Sequence, residues 1–450
     1  LHREPGYKRF FNTVLFFYLG FNLTILAGNF ETLFIGWEIL GIASFLLIAF
    51  YRDRNLPVKN AGRVYSTYRI GDVGLLLAMW LMHHFWEANI SFSSFLHTSD
   101  LSHHFEQHSL LGSAIALLLL LAAFAKSAQF PFSSWLPRAM EGPTPSSAIF
   151  YGSLSVHLGL FLVLRTYPFF ENQLAVRWFM GIMGLATALV ASQISHVQPT
   201  VKSQIGYGSI TQIGIMFIEI ALGLESLVLI HFVGNAFLRT YQLLVSPSVV
   251  SYLIREQFYD FEPRRKTIED SFPTKLQNTL YVLFLKEWNL DSMMYQYLWN
   301  PLKKIGSKFN FFNGLRLILS FVLTYGLAIY LYINKENLPS EVTAFLPEIF
   351  AGIALILVLK AFTQRRSVRM SWWLIVFNHF WVAMALTING NYDLKETGIY
   401  LVGILIAGII GAITLQRLFK QEGKRKFSFV LLLGLSRFNR RSNPRQKAGA

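Results

Sequence analysis

The stretch SLLGSAIALLLLLAAFAKSAQFP, from Ser109 to Pro131, decides the fold class. It carries no charge up to Ala125, and about 20 apolar residues in a helix suffice to cross a bilayer. Lys126 then ends the apolar run, and Pro131 follows five residues later. Proline interrupts a helix and leaves backbone carbonyl groups unpaired. The stretch therefore predicts a membrane helix that breaks beside a charged side chain.

Apolar stretches of this kind recur along the chain. Hydrophobic residues make up 53% of its 450 residues and charged residues 14%, and the mean hydropathy is +0.41. Ordinary soluble domains contain about 25% charged residues, so a soluble fold is excluded. Because backbone polar groups must be satisfied inside lipid, the sequence predicts an all-α polytopic membrane protein with about twelve transmembrane helices. The spans are predicted near residues 10–28, 31–51, 65–86, 109–128, 145–166, 174–195, 201–223, 225–254, 312–333, 345–363, 371–389 and 396–419.

The composition of the intervening segments divides the chain into four parts. A membrane domain covers residues 1–254. A polar loop and an amphipathic segment, which we expect to lie at the membrane interface, cover 255–311. Further transmembrane helices cover 312–419, and a basic tail covers 420–450.

The charge pattern concerns the membrane rather than nucleic acid. The formal net charge is +15 and the isoelectric point is near 9.8. The basic residues lie mostly between and after the apolar segments, as signals of membrane topology do. We therefore expect the lipid bilayer as a partner and no nucleic-acid binding.

The chain contains no cysteine. This excludes disulfides, thiolate-bound zinc and Cys-ligated iron–sulfur clusters, so electron transfer must take place in another subunit. We expect no cofactor, no metal and no catalytic residue, since the sequence has no cofactor or nucleophile motif. The chain begins at Leu1 without Met or a signal-peptide pattern, and we expect N-terminal helices to be missing from it.

Charged residues inside apolar spans are costly and are candidates for function. Glu38, in Gly36-Trp37-Glu38, can bind and release a proton or form a structural ion pair. Lys126 lies before the helix break; a lysine whose carboxylate partner moves acts as a proton switch. The second interpretation of Lys126 is a lysine that extends to the interface at a helix end.

Asp72 and Arg69 lie three residues apart and are predicted to pair on one helix face. Such a pair either fixes the orientation of the helix or takes part in transport, and both interpretations stay open. Arg239 lies inside the span 225–254. Because arginine does not deprotonate in proteins, Arg239 is predicted to supply a fixed positive charge.

Two histidines and one further lysine complete the candidates. His157 and His231 lie in apolar spans, where an imidazole either relays protons or simply forms hydrogen bonds in the core. Lys202 lies at a helix start. The loop near 87–108 is predicted to be solvated rather than a metal site, because it has no repeated carboxylate–histidine spacing; its histidines are His97, His103, His104 and His108.

At these residues the chain resembles the antiporter-like subunits of respiratory complex I and of Mrp cation/proton antiporters. The resemblance is greatest to the large complex I subunit (NuoL type), its Mrp A counterpart and the DabB subunit of inorganic-carbon-accumulating complexes. It covers residues 1–254 well, and beyond them it rests on Asp291 and Tyr295. The motifs that carry it are Gly6-Tyr7 with Arg9-Phe10-Phe11, Gly36-Trp37-Glu38, Arg69 with Gly71-Asp72-Val73, Lys126-Ser127-Ala128-Gln129 with Pro131, Trp135-Leu136, Gly142-Pro143-Thr144-Pro145, Lys202, Gln212-Ile213-Gly214 and His231 with Ala236-Phe237.

The resemblance implies two inverted five-helix repeats with discontinuous helices, of which the second is divergent here. It implies that residues 1–254 conduct protons, with Glu38 and Lys126 as a modulating pair. Lys202 and Arg239 would continue a polar axis along the middle of the membrane. Hydrated half-channels would connect this axis to the two sides of the membrane. The implied partners are other membrane subunits (DabA-like, complex I or Mrp subunits), and the implied location is the inner cell membrane.

Some positions depart from the family pattern. Tyr151 stands where the family usually has His, and His157 is a candidate substitute. Asn235 replaces a His and Arg239 a Lys, and the second broken helix with its exit-side lysine is not found. These departures favour a DabB-like role in inorganic carbon uptake over a complex I or Mrp subunit. A scaffold subunit with a vestigial channel and a stand-alone cation/proton antiporter are two further hypotheses for the function.

Overall fold

The computed structural model describes residues 6–86, 91–93, 109–259, 271–308, 315–364, 367–390 and 393–425. These described residues form helices and one isolated β-bridge between Asn29 and Ser91. The predicted all-α fold is therefore confirmed. The chain divides into two compact units, Leu1–Leu290 and Asp291–Ala450.

Most helices of the first unit pack against their neighbours in sequence. α1 packs on α2, α3 on α4, α8 on α9, and α9 on α10. Their bounds are α1 (Tyr7–Ile25), α2 (Phe30–Ile48), α3 (Asn55–Trp86), α4 (Ser109–Lys126), α5 (Trp135–Ala139), α6 (Thr144–Arg165), α7 (Pro168–Glu171), α8 (Leu174–Val197), α9 (Val201–Ala221), α10 (Glu225–Tyr259) and α11 (Thr274–Leu285).

Local sequence signals explain how two of these helices begin. The Asn29 side chain accepts a hydrogen bond from the Thr32 amide at 2.9 Å and caps α2. Thr200 caps α9 in the same way. Such side chains satisfy amide groups that have no partner in the first turn of a helix. Between α8 and α9, a Cβ atom on Gly184 would lie 2.6 Å from the Gly214 carbonyl oxygen, so glycine permits their close approach.

Helix α6 is irregular where it crosses the unit. Its middle is a π-helical segment, Ser147–Leu154, followed by a 3₁₀ turn, Ser155–His157. The His157 ring Nδ1 contacts the Ser153 carbonyl oxygen at 2.5 Å, within this irregular stretch. π-Helical turns inside α-helices are frequent at functional sites.

The polar segment after residue 254 differs from its prediction as a loop. α10 continues to Tyr259, because the Arg, Glu and Gln residues there favour helix and polar composition alone does not end one. α11 forms at the shorter apolar stretch near residues 276–289, which lies between the polar loop and the interfacial segment. Residues 260–270 lie outside the described residues, as do the histidine-rich residues 94–108 and the tail 426–450.

The second unit is also helical. Its aromatic and aliphatic core includes Phe350, Leu374 and Trp381. Its elements are α12 (Leu290–Met294, which begins at the unit boundary), a π-helical turn (Tyr295–Trp299), α13 (Asn300–Ser307), α14 (Leu315–Ile333), α15 (Ser340–Thr363), α16 (Val368–Ile388) and α17 (Leu394–Arg425).

Long apolar helices make this a multi-pass membrane protein. Among the described residues, eight helices are long and apolar enough to cross a membrane. The most apolar 18 residues of Leu394–Phe419 have a mean hydropathy of 2.4, yet only 6% of them are buried within the protein. Apolar surface of this extent requires lipid or a partner subunit. The count of about twelve spans and the inverted repeats stay predictions.

Candidate functional site

The helix break predicted from Lys126 and Pro131 is present. α4 ends at Lys126, whose side chain is 2% exposed, and α5 does not begin until Trp135. The Trp135 indole Nε1 donates a hydrogen bond to the Ala125 carbonyl oxygen at 2.9 Å. An aromatic side chain thus satisfies one of the carbonyl groups at the end of the interrupted helix.

Arg69, on α3, joins two carboxylates. Its Nη2 atom lies 2.6 Å from Glu38 Oε2 and 2.7 Å from Asp72 Oδ2. The predicted pairing of Arg69 with Asp72 is therefore confirmed. The other carboxylate oxygen of Asp72, Oδ1, accepts a hydrogen bond from the Trp37 indole at 2.7 Å. The side chains of α2 and α3 are held together through these ionic contacts.

The Lys126 ammonium group lies between two aromatic rings. Its Nζ atom is 4.3 Å from the ring centroid of Tyr68 and 4.5 Å from that of Trp37. It also donates a hydrogen bond to the Trp37 carbonyl oxygen at 3.4 Å. Ring faces attract a desolvated cation by about 2 kcal/mol. Arg69, rather than Lys126, makes the direct ion pair with Glu38.

Together, Glu38, Arg69, Asp72 and Lys126 form one cluster, which we call the lysine cluster. Electrostatic interactions connect Lys126 with Asp72, Glu38 and Arg69. With every group ionised, the two carboxylates balance the two cations. A cluster of zero net charge is less costly in a membrane than any of its members alone.

A second group of polar residues lies between α6 and α10. The His157 Nε2 atom is 3.0 Å from the Asn235 amide nitrogen, and Asn235 Oδ1 accepts a hydrogen bond from Arg239 Nε at 3.2 Å. Arg239 also donates to the Gly208 carbonyl oxygen at 3.0 Å and to Gln242 at 2.8 Å. Asn235 thus connects the predicted residues His157 and Arg239.

His231 is one turn of α10 before Asn235. Its Nδ1 atom lies 2.8 Å from Glu219 Oε1, and its Nε2 atom lies 2.9 Å from Gln212 Oε1. Both partners belong to α9. His231 therefore contacts one carboxylate and one amide side chain of the neighbouring helix.

The family model described as "NADH:quinone oxidoreductase/Mrp antiporter, TM" matches residues 27–260, just over half of the chain. The chain belongs to this family. The matched residues include both polar groups.

Similar proteins include subunits of quinone oxidoreductases. NADH-ubiquinone oxidoreductase chain 5 of Hippopotamus amphibius is 34% identical over 258 residues, which are 57% of this chain and 42% of that protein. The chloroplastic NAD(P)H-quinone oxidoreductase subunit 5 of Piper cenocladum is 32% identical over 252 residues, 56% of this chain and 34% of the relative. The chain thus spans about two fifths or less of these relatives.

Solved structures are similar to parts of the chain as well. The Mrp complex from Dietzia sp. DQ12-45-1b matches with a TM-score of 0.48 and 14% identity, over 93% of this chain and 65% of that one. A chain of the archaeal membrane-bound sulfane sulfur reductase matches with a TM-score of 0.45 and 22% identity, over 51% of this chain and 39% of that one.

Lys202 and Tyr151 have partners other than the four charged residues of the lysine cluster. Lys202 is half-buried in the first turn of α9 and interacts electrostatically with Glu141. Tyr151 is buried and donates a hydrogen bond to the Ser44 carbonyl oxygen at 2.9 Å. The structure therefore brings Glu38, Asp72 and Lys126 together, and separately His157 and Arg239.

Sequence reasoning missed several members of these groups. It treated Trp37 and Gln212 only as parts of motifs, and it did not consider Glu219. Glu219 had a signal, because it interrupts the apolar run Ile215–Ala221 as Glu38 interrupts its own span. The rule that a carboxylate within a membrane span is a functional candidate would have found it.

Proposed function

We propose that the chain is a proton-translocating membrane subunit of a multisubunit, ion-coupled complex. The observation that carries this proposal is the charge-balanced lysine cluster beside the broken end of α4, in which buried Lys126 and Asp72 lie with partly exposed Glu38 and Arg69. A purely structural role for a helix end does not require four ionisable side chains. Family membership supports the proposal.

The cluster can couple proton movements through charge balance. When a proton leaves Lys126 Nζ, the cluster holds two carboxylates against the single positive charge of Arg69. The excess negative charge attracts the next proton, and Arg69 stays charged throughout because arginine does not deprotonate. Glu38 and Asp72 share Arg69, so a change in the protonation of one carboxylate alters how strongly Arg69 binds the other.

The complex to which the chain belongs is a finer proposal. The named relatives are subunits of quinone oxidoreductases, which supports other membrane subunits as partners. The location in an inner cell membrane stays a prediction. The DabB-like role in inorganic carbon uptake, with a DabA-like partner, stays a prediction from Asn235 and Arg239. The complex can be purified through a tag on this chain, and mass spectrometry then identifies the subunits that co-purify. Quinone oxidoreductase subunits would support the first assignment, and a DabA-like subunit would support the second.

The Glu38→Gln variant tests the proposed function. We expect proton flux, followed by a pH-sensitive dye in membrane vesicles that contain the complex, to fall at least about tenfold, because the neutral side chain cannot exchange a proton. Glu31→Gln is the control, since Glu31 lies in the same helix about 10 Å further along its axis. Unchanged flux in Glu38→Gln at normal assembly would favour a scaffold subunit with a vestigial channel.

Trp37→Phe separates two contacts of one side chain. The phenyl ring still faces Lys126, but the hydrogen bond to Asp72 is lost. A hydrogen bond to a charged group contributes about 1.5–3 kcal/mol, so we expect flux to fall about tenfold. Trp178→Phe, at a tryptophan that is 64% exposed on α8, should leave flux unchanged in the same vesicles. Equal flux in the two variants would show that the Trp37 indole hydrogen bond has no part in transport.

A further inference from the structure

Glu219 and His231 form a carboxylate–imidazole pair that lies apart from the lysine cluster. Glu219 Oε1 is 2.8 Å from His231 Nδ1, and the two side chains are 13% and 22% exposed. The second oxygen, Glu219 Oε2, is buried without a hydrogen-bond partner among the described residues. The pair therefore has one carboxylate oxygen with no described hydrogen-bond donor beside it.

The position of the pair in the helices places it near one membrane face. Glu219 is two residues before the end of α9. α10 begins at Glu225, and His231 lies about 9 Å along its axis from there. Lys202, in the first turn of α9, is about 25 Å from Glu219 along the helix. The pair therefore lies close to the face at which the chain turns from α9 into α10.

A row of polar side chains continues inward from this pair. His231, Asn235 and Arg239 are spaced by four residues on one face of α10, which extends the row over about 12 Å. Asn235 contacts His157, which is 1% exposed, at 3.0 Å. The row thus extends from a partly exposed carboxylate to a fully buried imidazole.

We propose that Glu219 and His231 form a proton-exchange mouth on the membrane face of the α9–α10 turn. This rests on the proposed function, because the mouth supplies or drains the same proton path. The partly exposed carboxylate of Glu219 takes up a proton from the aqueous phase, and Glu219 Oε1 passes a proton to His231 Nδ1. His231 then releases a proton from Nε2, where Gln212 Oε1 accepts its hydrogen bond, and the base that receives the proton at the inner end of the row is His157 Nε2. One proton enters the pair and one leaves it, so the pair returns to its starting charge.

Glu219→Gln tests this mouth in proteoliposomes that contain the full chain and carry an imposed membrane potential. The amide keeps the oxygen near His231 but carries no exchangeable acid proton, so we expect flux to fall at least about tenfold. Glu225→Gln is the matched control, because Glu225 is an exposed carboxylate in the first turn of α10. Glu219→Asp keeps the acid, and we expect it to retain more flux than Glu219→Gln.

Chemical rescue distinguishes proton transfer from a structural ion pair. Glu219→Ala leaves space for a small diffusible acid that can exchange protons in place of the missing carboxyl group, so sodium formate should restore flux by about threefold or more. Loss of flux without rescue overturns the mouth, as does flux in Glu219→Gln within about twofold of the unsubstituted chain while Lys126→Ala is inactive. Full flux in Lys126→Ala would instead overturn the proposed function itself.

Discussion

Lys126→Arg is expected to stop proton flux as completely as Lys126→Ala. Arginine keeps the positive charge that balances Glu38 and Asp72, and it also binds the faces of Trp37 and Tyr68. It cannot release a proton, because a guanidinium group does not deprotonate in proteins. If Lys126 carries flux by releasing a proton, the positive charge that Lys126→Arg retains does not restore proton flux. We expect both variants to reduce flux in vesicles by about 100-fold or more. Side chains that transfer protons in enzymes raise reaction rates by about 10²–10⁴-fold.

The two Lys126 variants give different results if the lysine only balances charge. In that case Lys126→Arg would retain most of the flux and Lys126→Ala would lose it, which would contradict a proton switch. Lys126→Ala also leaves the carboxylates in excess, and breaking a buried ionic cluster costs about 3–5 kcal/mol. The amount of each variant in the membrane must therefore be measured beside its flux. Lys275→Ala, at an exposed lysine in the first turn of α11, is the control.

Local signals made the lysine cluster partly predictable. The end of α4 follows from Lys126 and Pro131, which lie five residues apart in an apolar run. The Arg69–Asp72 pair follows from helix periodicity, which places residues three apart on one face. Both features depend on residues that are close in sequence, and neither depends on how the helices pack.

Contacts between helices were not predictable in the same way. The Arg69–Glu38 ion pair joins residues 31 positions apart, and it depends on how α2 packs against α3. The sequence pattern marks Asn235 only as a departure from a histidine, whereas the structure shows it between His157 and Arg239. An amide that both donates and accepts hydrogen bonds can join an imidazole to a guanidinium. That role becomes visible only when both partners are in place.

Gly159→Ala is expected to destabilise the first unit although it adds only one methyl group. A Cβ atom at Gly159 would overlap the Ala123 carbonyl oxygen and Ser127 Oγ, and it would lie 2.9 Å from the Ala123 carbonyl carbon. Backbone atoms cannot turn aside as a flexible side chain can, so α4 and α6 must separate. Overpacking of this kind costs about 1–3 kcal/mol or more, against at most about 1 kcal/mol gained from the better helix propensity of alanine. We expect a lower thermal unfolding temperature in detergent.

The same shift should reach the lysine cluster, because Ala123 and Ser127 flank Lys126 in α4 and in the break that follows it. The fraction of Gly159→Ala that does assemble is therefore expected to carry less proton flux per molecule. Gly234→Ala is the matched control, since Gly234 lies inside α10 and a Cβ atom there would meet no atom within 4 Å. Alanine at position 234 should leave the flux unchanged. It should leave the unfolding temperature unchanged or raise it slightly. If Gly159→Ala unfolded at the same temperature as Gly234→Ala, the backbones of α4 and α6 could not be as close as the structure places them.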